Sequence, residues 1–105
     1  MKIHLDSQLE KFIASLEKPA IARVLRTVDL LETFGNNLAM PHSKKVLGKL
    51  FELRIRGKQE IRIFYAFLNG AAYLLHGFIK KQQKTPRREI EQAILKFNSL
   101  TKYNI

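Results

Sequence analysis

Residues 50–79 read LFELRIRGKQEIRIFYAFLNGAAYLLHGFI, and the spacing of apolar side chains in this stretch decides the fold class. From Leu50 to Arg56 the period is two: Phe51, Leu53 and Ile55 point one way, Glu52, Arg54 and Arg56 the other. That alternation predicts a half-buried strand, because successive side chains of an extended backbone project to opposite faces. Gly57 to Gln59 supply a turn. Ile61 to Leu68 form a second strand, with Ile61, Ile63, Tyr65 and Phe67 on one face and Arg62 on the other. Asn69-Gly70 predicts a tight hairpin, since both residue types tolerate the positive φ that a type I′ turn demands. A third strand, Ala72 to Ile79, runs back. The 17 residues from Ile63 to Ile79 contain no Lys, Arg, Asp or Glu, but a membrane span needs about 20 apolar residues and Asn69-Gly70 interrupts this run. Two strands explain both the length and the interruption, and no membrane association is expected.

Toward the N-terminus, residues 36–49 are rich in Gly, Pro, Asn, Ser and Lys and read as an irregular connection. Before them Ile21, Leu25, Val28 and Leu31 make an apolar stripe at helical spacing, ended by Gly35-Asn36-Asn37. Leu9, Phe12, Ile13 and Leu16 make an earlier stripe, which Pro19 interrupts or restarts as a first-turn residue. Ser7 and Glu10 have the spacing of a capping box, so the first helix is expected to begin there. Lys2 to Leu5 is a short strand or a lead-in. Toward the C-terminus, Thr85-Pro86 reads as an N-cap followed by proline at the first helical position. Ile90, Ala93, Ile94 and Phe97 give that last helix its buried stripe. The expected architecture is α+β: two N-terminal helices, an antiparallel sheet of three to four strands and a C-terminal helix, in one domain over residues 1–105.

The chain carries 19 Lys and Arg against nine Asp and Glu, a net charge of +10, and no cysteine. Hydrophobic residues at 46% suffice for one packed core, which excludes disorder as the main description. Without cysteine there is no disulfide framework, thiolate nucleophile or thiolate zinc site, consistent with a cytoplasmic location. Met1 to Glu10 lacks the continuous apolar segment of a secretory signal. Residues 1–40 and 89–105 are each neutral, whereas 41–88 hold twelve basic side chains against only Glu52 and Glu60. The entire excess lies in that middle segment, and such a concentration attracts polyanions. Three scattered histidines do not form a metal-ligand pattern, and no glycine-rich phosphate loop, nucleophile elbow or dinucleotide fingerprint is present. No cofactor or metal is expected, and any catalysis is expected to be metal-free.

Strand alternation puts Arg54 and Arg62 on one side of neighbouring strands, with Glu52 and Arg56 beside them. Guanidinium groups suit a basic cleft because they donate paired hydrogen bonds to phosphate oxygens and stay charged. Phe64 and Phe78 share that parity and are candidate stacking platforms for bases, or else core residues. Cleavage of RNA by its own 2′-hydroxyl needs a base, an acid, and cations to stabilise charge on the transition state; Arg54 and Arg62 suit the last role. His76 is a candidate acid or base, since imidazole exchanges protons near neutrality, provided a strand bulge does not turn it away. Lysines of the 80–84 run, Lys81 and Lys84 among them, are the substitutes, because neighbouring cations favour release of a proton from an ammonium group. Tyr65 and Glu52 are weaker candidates. Lys44, Lys45, Lys49, Arg56, Lys80, Arg87 and Arg88 are candidate phosphate-backbone contacts. Replacing Arg54 and Arg62 together by alanine is expected to abolish activity and leave the fold intact.

The segment Pro41-His42-Ser43-Lys44-Lys45-Val46-Leu47-Gly48-Lys49-Leu50-Phe51-Glu52-Leu53-Arg54 has further company in Arg62-Ile63-Phe64-Tyr65, Leu74-Leu75-His76-Gly77-Phe78, Lys80-Lys81 and Lys84-Thr85-Pro86. Taken in order over about residues 7–98, these motifs resemble the RelE/HigB toxin superfamily, in its phage-derived HigB-like branch. The resemblance implies a RelE-like fold and the toxin of a type II toxin–antitoxin pair. Such a toxin is a ribosome-dependent mRNA endonuclease, without metal, silenced in a heteromeric complex by a helix-turn-helix (HigA-like) antitoxin. On that template Arg54 falls at a catalytic-cation position and Arg62 matches the arginine opening the next strand. Lys80, Lys81 and Lys84 fall where a further catalytic or ribosome-binding residue is kept. Glu52 stands where some relatives have lysine, and the terminal Lys102-Tyr103-Asn104-Ile105 lacks the histidine-plus-acid pattern of some HigB proteins. The alternatives are a ParE-like toxin that binds DNA gyrase without catalysis, and a passive nucleic-acid-binding domain.

Overall fold

The computed structural model describes residues 1–103; Asn104 and Ile105, the end of the stretch just compared with HigB proteins, lie outside the described residues. In chain order the elements are β1 (Lys2–Leu5), α1 (Ser7–Ala14), α2 (Lys18–Phe34), a 3-10 turn (Gly35–Asn37), β2 (Ser43–Leu47), β3 (Leu50–Ile55), β4 (Ile61–Leu68), β5 (Ala71–Ile79) and α3 (Arg87–Tyr103). The class is α+β, but the sheet has five strands in the order β1-β5-β4-β3-β2 and is mixed rather than antiparallel. β1 runs parallel to β5, while β2 through β5 form an antiparallel meander. The chain starts at one edge, crosses through α1 and α2 to the far edge, and returns strand by strand until β5 lies beside β1. A parallel neighbour requires such a crossover.

The fifth strand lies inside the segment expected to be irregular. Ser43, Lys44 and Lys45 of β2 pair with Leu53, Glu52 and Phe51. An outer strand has one solvated border and accepts lysine there, so the apolar alternation that marks inner strands is missing. Gly48, at φ +55°, opens the two-residue turn between β2 and β3, the place where a type II′ turn wants glycine. Asn69 and Gly70 both have positive φ, 52° and 75°, closing the β4–β5 hairpin as expected. The uncharged run from Ile63 to Ile79 is thus two strands, and among the described residues no helix is long and apolar enough to cross a membrane.

Helices cover both faces of the sheet. On one face Leu9 and Ile13 of α1 and Val24 and Leu31 of α2 pack against Leu53, Ile55, Ile61, Ile63 and Tyr65. On the other, Ala93 of α3, with Ile90, Ile94 and Phe97 beside it, packs against Phe64, Ala66, Leu75 and Phe78. β4 is buried without a break from Ile61 to Ala66 because it receives apolar neighbours from both sides.

Two helix readings are corrected. α2 buries Ala20, Val24, Thr27 and Leu31, whereas Leu25 is 54% exposed. Apolar spacing alone could not separate the two stripes. Thr27 is tolerated inside because its hydroxyl donates to the Arg23 carbonyl at 2.9 Å, so no polar group is left unpaired. The cap of α1 is Asp6, one residue before Ser7. Its carboxylate accepts from the backbone N–H groups of Gln8 (3.0 Å) and Leu9 (3.2 Å), an arrangement worth about 1 kcal/mol, and also receives Lys96 Nζ of α3 at 2.8 Å. α3 starts one residue after Pro86, whose carbonyl accepts from Glu89 N–H at 3.0 Å.

The β4–β5 register shifts once. Phe64 pairs with His76 but Tyr65 pairs with Leu74, which leaves Leu75 as an extra residue in β5. This bulge puts Leu75 and His76 on the same side of the sheet, the side that α3 covers.

Candidate functional site

The strand register builds the site. Arg54 of β3 lies directly opposite Arg62 of β4, which lies opposite Phe78 of β5; the adjacent row is Glu52, Phe64 and His76. Paired residues share a face, so both arginines project from the side that carries α3. The β3–β4 turn and the segment after β5 come together there. Lys80 N–H donates to the Glu60 carbonyl at 2.7 Å, continuing the strand pairing one step past Ile79. An open cleft of about 500 Å³ results, lined by Arg54, Arg56, Glu60, Arg62, Lys80 and Lys81 with Gln82 and Gln83 at its mouth.

The two arginines stand at different depths. The Arg54 side chain is 14% exposed, that of Arg62 only 3%, and the Glu52 carboxylate lies between them. Glu52 Oε1 is 3.7 Å from Arg54 Nε and 3.8 Å from Arg62 Nε. Arg62 Nη2 also donates to Glu60 Oε1 at 3.1 Å, and Nη1 to the Ile61 carbonyl at 3.1 Å. A single anion between two like charges lets the guanidinium groups approach each other, which water would otherwise have to screen. Arg54 is held more loosely: Nη1 is 3.3 Å from Met40 Sδ, and its backbone N–H donates to the His42 carbonyl at 2.8 Å. Both Nε atoms are buried without a hydrogen-bond partner among the described residues. Arg54 is the arginine nearer the cleft opening, and Arg62 lies deeper in the wall behind it.

Burial would raise the Glu60 carboxyl, but the hydrogen bonds from Arg62 and the Gly57 N–H, with the charges of Arg62 and Arg56, hold it below its ordinary 4.5. At Asp6 burial likewise pushes upward and is outweighed by Lys96 and the helix N–H groups, leaving the carboxyl below 3.8. With folded-state values depressed, the unfolded chain binds more protons than the native one in the acid range. Stability from these groups is therefore complete at neutral pH and is lost as pH falls below about 5. Urea midpoints are expected to drop between about pH 5 and pH 3, and the Asp6→Asn, Glu60→Gln double variant to show a shallower drop. An unchanged slope in that variant would contradict the assignment.

Other residues singled out in the sequence lie elsewhere. His76 is not among the cleft's lining residues; its Nε2 is 2.7 Å from Glu89 Oε1 of α3. The bulge at Leu75 keeps His76 on the arginine face, yet α3 meets it first. Phe64 and Phe78 stack on each other at 5.6 Å and are 0% and 6% exposed, so they are core residues and not platforms for bases. Tyr65 lies on the opposite face, bonded to the Ser43 hydroxyl, and burial raises its phenol above 10.0 against that bond's opposing pull. Lys84 is exposed beyond the cleft lining. Lys44 shares the Glu52 face, Lys45 the opposite one, and Lys49 sits in the β2–β3 turn. Arg87 and Arg88 are exposed at the start of α3, 3.3 Å from Glu91 and 3.7 Å from Glu89 respectively.

Residues 11–98 match the family of phage-derived Gp49-like proteins (DUF891). The chain belongs to that family. No curated protein matches it. In this Gp49-like chain the matched region runs from within α1 to within α3, so it contains every cleft residue and leaves β1 outside.

The sequence reading missed Glu60 as the partner of Arg62, although residues two apart on a strand share a face and the spacing offered the clue. It also missed Glu89 as the partner of His76. Arg23 and Arg26 of α2 fall in the neutral segment 1–40, yet they come against the end of β3 beside His42, Arg54 and Arg56. Their three-residue spacing marks a common helix side, but only packing shows which strand that side meets.

Proposed function

We propose that this Gp49-like protein is the toxin of a type II toxin–antitoxin pair, acting in the cytoplasm as a ribosome-dependent, metal-free mRNA endonuclease. The family is associated with RelE/HigB-like toxins. The observation that carries the reading is the convergence of Arg54, Arg56, Arg62, Lys80 and Lys81 on one cleft. Fixed cations in a partly desolvated recess favour a transition state richer in negative charge than its ground state.

The reaction that suits the cleft is attack of an RNA 2′-oxygen on the adjacent phosphorus. A bond forms from O2′ to phosphorus, the bond to O5′ breaks, and a 2′,3′-cyclic phosphate and a 5′-hydroxyl remain. Arg54 stabilises the charge on the non-bridging oxygens, with Arg62 behind it holding Glu52 in place. The 2′ proton must leave and the departing 5′-oxygen must gain one, and Lys80 and Lys81 are the cleft side chains placed for those two transfers. Lys44, Lys49, Lys84, Arg87 and Arg88 present the surrounding positive surface to ribosomal RNA, and a helix-turn-helix, HigA-like antitoxin silences the protein by occupying the cleft.

Cell-free translation of an end-labelled mRNA with added protein tests this directly. The expected result is cleavage phased to codons, fragments with cyclic-phosphate ends, and no cutting when ribosomes are omitted. Intact mRNA together with inhibited gyrase supercoiling would replace the reading with gyrase binding; intact mRNA alone would leave a passive binding module.

A further inference from the structure

On the other side of β3 from the cleft, α2 and the segment before β2 enclose a groove of about 320 Å³. Arg23, Arg26, His42, Arg54 and Arg56 line it, and no Asp or Glu does. Its floor is apolar, formed by Leu30, Pro41 and Ile55. The Arg23 guanidinium lies against the backbone of Gly57, in the space a Cβ there would occupy. Its Nε is buried without a hydrogen-bond partner among the described residues. A donor held in that way, in a groove with four guanidinium groups and no lining carboxylate, calls for an anion.

Arg54 and Arg56 line both this groove and the cleft. β2 begins pairing at Ser43 opposite Leu53, and the segment before it reaches as far as Arg54, whose N–H donates to the His42 carbonyl; the two recesses meet at Arg54 and Arg56, where β3 ends. A groove of this size is at the small end of ligand sites, roughly 300–1,000 Å³, and fits a single nucleotide. An apolar floor beneath a guanidinium rim matches a base flanked by its phosphate.

We propose that the α2–β3 groove is an accessory RNA subsite, which takes a nucleotide flanking the phosphodiester held in the Arg54 cleft. The inference rests on the RNA-cleaving function proposed above and adds where the strand continues. The strand passes from the cleft over Arg54 and Arg56 and places the next base on Leu30 and Pro41, its phosphate against Arg23 and Arg26.

The test uses the full chain and two fluorescent, uncleavable 2′-O-methyl RNAs, a dinucleotide and a hexanucleotide, with binding read by anisotropy over a salt series. The Arg23→Ala, Arg26→Ala variant is expected to bind the hexanucleotide about tenfold more weakly and the dinucleotide as the wild type does. Its slope of log affinity against log salt should fall by about 1.4, the single-strand value of about 0.7 for each of two lost phosphate contacts. Since Arg23 packs on Gly57, circular dichroism checks the fold, and Arg26→Glu at an exposed position is the second variant; it too should weaken only the longer RNA. Unchanged hexanucleotide affinity in both variants, with Arg54→Ala still weakening it, overturns the subsite and leaves the proposed function standing. That is also the outcome if the groove takes an acidic protein segment. A wild-type protein that binds neither RNA overturns the subsite, while the ribosome-dependent function proposed above stands or falls by the translation assay.

Discussion

Replacing Arg62 with alanine is expected to remove a large share of the stability, because losing one member of a buried charge cluster costs about 3–5 kcal/mol. The Arg62 side chain is 3% exposed and bonded to Glu60 and the Ile61 carbonyl, with the buried Glu52 carboxylate 3.8 Å away. Truncation leaves Glu52 facing the sheet interior with Arg54 alone. A small domain has only about 5–15 kcal/mol in total, so urea unfolding followed by circular dichroism should show a markedly lower midpoint. Adding Glu52→Gln to Arg62→Ala should recover part of the loss, since the orphaned charge is then gone. A midpoint within about 0.5 kcal/mol of wild type, the range of ordinary surface substitutions, would contradict the described burial. The structure therefore corrects the expectation that alanine at both Arg54 and Arg62 leaves the fold intact: loss of activity in that double variant would not separate chemistry from unfolding.

Arg54→Ala separates them. Its side chain reaches the cleft surface, its remaining contact to Met40 is weak, and Glu52 keeps Arg62 as a partner when Arg54 is gone. The folded protein should survive, while mRNA cleavage in the translation assay falls about 10²–10³-fold, the usual loss for one preorganised group that stabilises transition-state charge. Arg54→Lys should recover only part of the rate, because an ammonium cannot reproduce the two-pronged contact of a guanidinium with phosphate. Wild-type cleavage by folded Arg54→Ala would remove the cleft as the site of reaction.

What could be read from the sequence follows from the range of each physical signal. The odd-numbered residues of Phe51–Ile55 and Ile61–Phe67 face α1 and α2 as their alternation requires, but Phe64 and Ala66 are buried too, under α3, so the sheet is covered on both sides. Asn69-Gly70 is equally local, and its turn forms as expected. β2 was lost because Ser43-Lys44-Lys45 has no apolar rhythm to detect, its burial being supplied by a neighbour distant in sequence. Parity placed Arg54 and Arg62 on one face, but it carries no information on depth. Depth came from Glu52 and Glu60, carboxylates whose partners are set by register. The position of His76 depended on one extra residue, Leu75, and on a helix that closes over it afterwards. Arg23 and Arg26 lay furthest from view, since a helix rim meets a strand border only once the whole layer has packed.

The outermost strand, with its exposed Lys44 and Lys45 and the unpaired extra residue Val46 between Lys45 and Leu47, has a bearing on how the molecule behaves in company. A charged, kinked border is a poor template on which a second chain could zip up, and proteins guard open sheets against fibril growth in this way. Acetylation of those two amines would do more than dim the attraction for a polyanion: it would strip the border of the repulsion that keeps crowded copies apart.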